Sequence, residues 1–393
     1  MTNSFADVRP RIAAFTERLR RDGAIASTPW ADAFTAVPRH VFVPSWYEQG
    51  TDDRGICVWT LRDGAYRARW LDAAYSDTTL VTALDPATAE QVGDRTWTGM
   101  ATSSSTMPSV MAGMLEELAV RDGHRVLEVG TGTGYNAALL CARLGDHLVH
   151  SVDIDPGLVR VARSRLAEIG YAPHLIAGDG QDGCSSGERF DRIIATCAVP
   201  RIPSAWIEQT RPGGVILADL GLGIEGGLVC LTLAEDGSAQ GPFARTGGRF
   251  MPARTGATGY PDTERAPYAP EAVTRPTPVG GAEIRGEYGF RLLLAFTLPE
   301  AEFVYHLDDT NAVFIQFQTP DGSWARTPVT GGATVTHGGD HSLWERVEEA
   351  WSWWNRHGRP EHTQYGITRE PDGRTHAWHG PDDRRWPLDG RPE

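Results

Sequence analysis

Arg125-Val-Leu-Glu-Val-Gly-Thr-Gly-Thr-Gly-Tyr135 decides how this chain is read. Arg125 to Val129 has the unbroken apolar character of a strand buried on both faces. Gly130, Gly132 and Gly134 then let the backbone turn tightly against a ligand. Tyr135 opens an apolar helical run ending at Leu144. Twenty residues on, Val149-His-Ser-Val-Asp-Ile-Asp155 is a second short apolar run closing in acid. Strand, glycine turn, helix and a distant acid make the nucleotide-binding form of an open α/β sheet. The spacing is GxGxG, where a dinucleotide fingerprint has GxGxxG. Glu128 also stands immediately before the glycines, and a carboxylate there suits a cationic or amino-bearing ligand but repels a pyrophosphate. The pattern therefore points to S-adenosyl-L-methionine and away from NAD.

Downstream, Asp155-Pro156 starts a helix with Asp155 as its cap, and Val159, Ala162, Leu166 and Ile169 on one face. Asp153, at the carboxyl end of the second strand, is left as the ribose ligand. A third strand, His174 to Ala177, ends in Gly178-Asp-Gly-Gln181. A fourth, Phe190 to Ala195, runs into Thr196, and Pro212 to Asp219 supplies a turn and a fifth strand. Upstream, Thr102-Ser-Ser-Ser-Thr-Met-Pro-Ser109 precedes a helix with Met111, Met114, Leu115 and Leu118 on its apolar face. Propensity alone allows a Ser-rich linker there. Its place before the glycine motif favours hydroxyls gathered at a helix amino terminus, where free N–H groups attract anions. Residues 7–21 have amphipathic helical spacing, and Thr28-Pro29 starts a second helix with Thr28 as cap. Val37-Pro-Arg-His-Val-Phe-Val-Pro44 reads as an extended brace, whose simplest role is packing. Residues 45–101 show little pattern.

Composition bounds the function. The 393 residues carry a net charge of −14, with 40% apolar and 22% charged residues, as in a globular protein of about two domains. That charge excludes nucleic acid as the default partner, because phosphate binding needs clustered Lys and Arg. Five cysteines form no CxxC pair and no apolar run reaches the length of a membrane span, so a reduced, cytoplasmic protein with no membrane partner is expected. His337 and His341 flank a flexible Gly-Gly-Asp without further ligands, so no metal is expected.

Beyond Leu220, Gly227 to Leu233 and a Glu-Asp-Gly turn suggest a hairpin continuing the sheet. Residues 244–282, rich in Pro, Gly and Thr, read as a linker or long loop. Gly289 to Leu298, Glu302 to Leu307, Ala312 to Gln318 and Trp324 to Val329 look like strands. Leu343 to His357 is a helix with Trp344, Val347, Trp351 and Trp354 in a core-facing stripe, leaving Trp353 free for a ligand. Gly366-Ile-Thr and Thr375-His-Ala-Trp378 form a closing hairpin. The organisation expected is a helical brace region (1–100), a catalytic core (101–243), a linker (244–282) and a β-rich accessory domain (283–393).

Six motifs in order carry a resemblance: Val37-Pro-Arg-His with Phe42-Val-Pro44, the hydroxyl run with Pro108, Val126 to Tyr135, Gly178-Asp-Gly180, Phe190-Asp191 and Arg211-Pro-Gly-Gly214. Together they resemble the protein-L-isoaspartate O-methyltransferase family over about residues 28–220. The resemblance implies a Rossmann-like α/β methyltransferase fold, here with an N-terminal helical extension and a C-terminal β-rich α+β domain. It implies a cofactor site at Glu128, Gly130, Thr131, Gly132, Gly134 and Tyr135, with Asp153 at the ribose, Asp179 and Gly180 at the adenine, and Ile154 and Thr196 also in the site. The family's active-site hydroxyl falls on Thr106, with Ser104 and Ser105 beside it. Thr106 stands where the family has Ser, and Ser105 where it has an apolar residue.

The implied reaction is methylation of an Asp or isoAsp carboxylate in a peptide or protein. The long carboxyl-terminal extension is similar to that of family members accompanying ribosomally made, modified peptides, which implies an ester that closes to an aspartimide. General isoaspartyl repair, and a non-catalytic peptide-docking partner that keeps the cofactor fold, are the alternatives. Oligomeric state is not legible.

Overall fold

The computed structural model describes residues 8–53, 55–254, 269–308, 310–381 and 383–388. Within those limits the chain makes two compact units. The first takes 8–198, 203–218 and 246–254, the second 199–202, 219–245 and 269–388.

The first unit opens with helices α1 (Arg9–Arg21), α2 (Thr28–Ala36) and α3 (Arg39–Phe42). Ile12, Phe15 and Leu19 bury one stripe of α1, as their spacing predicts. At α2 the cap position falls on Ser27, and Glu116 Oε1 accepts from the backbone N–H groups of Ala26 and Ser27 at 2.9 and 2.7 Å. The expected extended brace contains α3, a single turn fitting between its two prolines. Then come β1 (Ser45–Thr51), β2 (Cys57–Asp63), α4 (Arg67–Ala74), β3 (Leu80–Leu84), β4 (Gln91–Gly93), β5 (Thr96–Trp97) and β6 (Ala101–Ser105). These strands form a sheet in the order β4-β5-β2-β1-β3-β6, where sequence reading found little pattern. Trp46 is the only buried residue of β1, so no alternation announces the strand.

Helix α5 (Pro108–Glu117) leads to the parallel core: β7 (Val126–Val129), α6 (Tyr135–Leu144), β8 (Val149–Asp153), α7 (Pro156–Glu168), β9 (His174–Ala177), β10 (Phe190–Val199), α8 (Ser204–Gln209) and β11 (Thr210–Leu222). Strand order is β11-β10-β7-β8-β9, and β7 runs parallel to both β10 and β8. Every residue of β7 and β8 is buried, which is why both were legible as apolar runs.

After the short segment 199–202, the main run of the second unit begins within β11 at Asp219 and adds β12 (Glu225–Leu233) and β13 (Ala239–Pro242). The sequence-based division after residue 243 therefore moves back to 219. Of the expected linker, 246–254 belongs to the first unit and 255–268 lies outside the described residues. Two regular elements occupy most of its remainder, β14 (Glu271–Pro276) and α9 (Gly281–Gly286).

Next are α10 (Tyr288–Thr297), β15 (Glu302–Leu307), β16 (Val313–Gln318), β17 (Trp324–Pro328), β18 (Thr334–Gly338), α11 (Ser342–Arg356), β19 (Tyr365–Arg369), β20 (Thr375–His379) and β21 (Arg384–Pro387). Gly289 to Leu298, expected as a strand, is helical. Its run Phe290, Leu292, Leu293, Leu294, Ala295 and Phe296 is buried all round, and such a run carries no period to separate helix from strand. Strands β14 to β18 form one sheet, ordered β14-β18-β17-β16-β15, and β13, β19, β20 and β21 pair successively in another. Trp344 and Trp354 are buried as expected. Trp353 is buried too, stacked on His357 with ring centres 4.1 Å apart, so it is not free for a ligand.

Candidate active site

The glycine turn is fastened from beneath. Glu128 is fully buried; its Oε1 accepts from Asn136 Nδ2 at 2.8 Å and its Oε2 from Ser151 Oγ. Thr131 Oγ1 lies 2.6 Å from the same Ser151 Oγ, extending the network into the loop. Burial drives the Glu128 carboxyl up to about 7 although both hydrogen bonds oppose the shift. Gly130 has φ 97°, and a Cβ there would stand 2.6 Å from Thr196 Oγ1. That hydroxyl donates to the Gly130 carbonyl oxygen at 2.8 Å, so Thr196 clamps the turn from the end of the neighbouring strand. Gly134, at φ 88°, caps α6, and Tyr135 packs inward between Phe34 and Phe42.

Three strand ends meet at this turn. Asp153 Oδ2 accepts from the Gly132 N–H at 2.8 Å and Oδ1 from the Asp155 N–H at 3.0 Å. Burial raises the Asp153 carboxyl; those two N–H groups and the charge of Arg254 pull it back. Asp155 caps α7 through the Gly157 N–H at 2.7 Å, as its place before Pro156 predicts, and half-buried Ile154 lies between the two acids. The Gly178 N–H donates to the Asp153 carbonyl at 2.9 Å, which brings in the third loop. There Asp179 Oδ1 accepts from the Gln181 N–H at 2.9 Å. The Gly180 carbonyl accepts from Trp206 Nε1 at 2.7 Å, and a Cβ on Gly180 would run into Val129.

The hydroxyl run is not a linker. Ala101–Ser105 is β6, paired with β3, and only Thr106 and Met107 separate it from α5. Successive strand residues alternate faces, so Ser103 and Ser105 are buried while Ser104 and Thr106 are half-exposed. A Cβ on Gly132 would lie 3.7 Å from Ser103 Oγ and 3.8 Å from the Ser104 carbonyl oxygen, so the run stands directly against the glycine turn. Two residues from the preceding turn cap the start of α5: Thr79 Oγ1 accepts from the Met107 N–H at 3.1 Å and Asp77 Oδ1 from the Ser109 N–H at 2.8 Å.

Sequence reading missed the centre of this arrangement. Arg39, given only a packing role, is fully buried and donates to the carbonyls of Ala74, Ser76, Thr78, Ser105 and Thr106 at 3.0–3.2 Å. Its Nε also reaches Ser105 Oγ at 3.3 Å, which commits that serine to structure. Burial lowers the guanidinium to about 10, still charged at neutral pH. A charged residue inside an otherwise apolar, proline-bracketed segment was the available signal. Arg254 was missed for another reason, since it falls in the expected linker.

Residues 67–253 match the family model of protein-L-isoaspartate(D-aspartate) O-methyltransferase. A relative from Rhodopseudomonas palustris, protein-L-isoaspartate O-methyltransferase 2, is 32% identical over 219 residues, 55% of this chain and 92% of its own length. The chain belongs to the protein-L-isoaspartate O-methyltransferase family. It is an S-adenosylmethionine-dependent O-methyltransferase. A member from Anaeromyxobacter dehalogenans is 46% identical over 118 residues, 30% of this chain and 56% of that relative. A solved structure titled protein-L-isoaspartate O-methyltransferase shares the fold, with TM-score 0.52 and 19% identity across 93% of this chain and 98% of its own. The donors present suit the family's cofactor. Backbone amides and left-handed glycines line one loop, and carboxylates of the type that binds ribose hydroxyls end the neighbouring strand.

Proposed function

We propose that the enzyme methylates the side-chain carboxylate of an Asp or isoAsp residue in a peptide or protein, and that the ester goes on to an aspartimide in a peptide product. The observation carrying the first part is the seating of the hydroxyl run against the glycine turn. Bound S-adenosylmethionine supplies an electrophilic methyl. Glu128 beneath the turn, Asp153 at its side and Asp179 in the third loop hold that donor, with Thr196 clamping the loop. Ser104 and Thr106 orient one acceptor oxygen by hydrogen bonding. No general base is called for, because a carboxylate is already ionised at neutral pH and the protein's contribution is alignment. As the oxygen–carbon bond forms, the carbon–sulfur bond breaks and the pair of electrons leaves on sulfur. In the ester, a backbone nitrogen then attacks the carbonyl and methanol departs.

Thr106, where the family has Ser, supports a specialised peptide acceptor. General repair of isoaspartyl proteins has its own support: a solved structure bearing the family's name covers 93% of this chain, so the second unit alone does not mark a specialist. Transfer of a tritiated methyl to paired Asp and isoAsp peptides tests the reaction, with mass spectrometry for the imide. A base-labile label is expected; when the ring closes the label leaves as methanol, and the imide is lighter than the unmethylated peptide by one water. Thr106→Ala should lower turnover at least tenfold with donor affinity unchanged, whereas Thr106→Ser retains most of it. A base-stable label, or full turnover in Thr106→Ala, overturns the assignment.

A further inference from the structure

A cleft of about 360 Å³ opens in the first unit between α1, α4 and the turn that precedes β3. Arg11, Ala14 and Arg18, on one face of α1 by their spacing of three and four, make one wall. Asp72 at the end of α4, with Ser76 and Asp77, makes the other. The two arginines and two aspartates of the cleft balance formally, but they are not paired one with one. Arg11 is ion-paired with Asp72. Asp77 turns its Oδ1 onto the first turn of α5. Arg18 gives one N–H to the Tyr75 carbonyl at 2.6 Å and lies 5.8 Å from the centre of the Phe15 ring, with no carboxylate partner among the described residues. A guanidinium has five donors, so Arg18 lines the cleft with donors to spare.

The cleft is mechanically continuous with the hydroxyl run. Its wall contributes the Ser76 carbonyl to Arg39 at 3.0 Å, and Thr78 adds another at 3.0 Å. The same guanidinium takes the Ser105 and Thr106 carbonyls, at 3.2 Å each. Whatever sits in the cleft is thus held at a fixed offset from Thr106.

We propose that this cleft binds the stretch of acceptor peptide flanking the methylated residue, and that Arg18 selects a carboxylate there, either a second acidic side chain or the peptide's free carboxyl end. The proposal rests on carboxyl methylation at the hydroxyl run. It adds to that reaction a specificity-determining residue that touches neither the methyl donor nor the reacting oxygen.

The test uses the full chain and Ala/Gly heptapeptides with a central isoaspartate. Glu is moved through the other positions, and each peptide is made with a free and an amidated carboxyl end. One Glu position, or the free end, should raise kcat/KM about five- to tenfold over its Gln or amide control. Arg18→Gln should erase that preference while methylating the acid-free, amidated peptide at the wild-type rate. Should Arg18→Gln melt early, Ala14→Trp fills the cleft from an exposed helix position, leaves Arg18 in place and should erase the preference equally. A preference absent at every position, or one that survives both variants, overturns the proposal. If the wild-type chain methylates none of the peptides, the carboxyl-methylation reading falls first. The cleft is then judged by fluorescence anisotropy of labelled peptides carrying Asn at the centre. Binding that depends on both Glu and Arg18 sustains it, and any other result sinks it.

Discussion

Glu128 holds its proton into the neutral range, about 7 against an ordinary 4.5, because burial outweighs its hydrogen bonds from Asn136 and Ser151. Between those two values the folded chain binds a proton that the unfolded chain has lost. Glu128 therefore costs stability as pH rises across that window, and Glu128→Gln should flatten this part of the stability–pH curve. A nearby cation acts in the opposite sense, favouring the ionised form. Binding of S-adenosylmethionine at pH 7 should accordingly release on the order of half a proton. Calorimetry in two buffers of different ionisation enthalpy reads that release directly. A binding enthalpy independent of buffer would remove Glu128 as the cation's partner. The sequence puts this acid at the turn, since its neighbours are a strand and three glycines. It could not show that Asn136 and Ser151 hold the carboxyl, because those contacts join residues from a helix and a different strand.

At the scale of elements, the buried Arg39 joins the Thr79 and Asp77 caps in holding β6 and α5 to the turn before β3. Arg39→Lys keeps the charge but offers three N–H donors on a single nitrogen, too few and too narrowly placed for five carbonyls spread over two segments. Destabilisation of about 3 kcal/mol is expected, read as a lower urea midpoint, with turnover falling more than donor affinity. An unchanged midpoint would show that water or a local shift satisfies those carbonyls. How far each element could be foreseen follows from its burial. The doubly buried β7 and β8 and the amphipathic α1 announce themselves. The half-solvated β1 to β5 have no alternation to read, and α10 is apolar on every side. Tertiary environment decided both cases, and it is absent from a single sequence.

Across the whole molecule, the chain passes between its units more than once. It enters the second for residues 199–202 and again at Asp219, returns for residues 246–254, and leaves again. The returning segment is tied down: Glu117 Oε1 accepts from Thr246 N at 2.6 Å, and Ala198 exchanges hydrogen bonds with Met251 and Ala253 at 2.9 and 2.7 Å. Arg254 then acts on Asp153. A chain ending after Ala244 is consequently expected to bind S-adenosylmethionine at least tenfold more weakly than one ending after Arg254, provided that melting curves show both folded. Equal affinities would mean that the segment adds nothing to the cofactor site. Composition invited the reading of a linker here, because Gly, Pro and Thr serve a fixed return path as readily as a loose one.

The pairing of β13 with β19 also sets a timetable for biosynthesis. Ala239–Pro242 leaves the ribosome roughly 120 residues before Tyr365–Arg369, its neighbour on that side. At ordinary translation rates that interval is on the order of ten seconds. During it the nascent hairpin presents an unpaired strand edge, the feature most open to capture by another chain. Slow codons or a sluggish ribosome between those two points would lengthen the exposure, so yield in a heterologous host should depend on translation speed there more than on the stability of the finished enzyme.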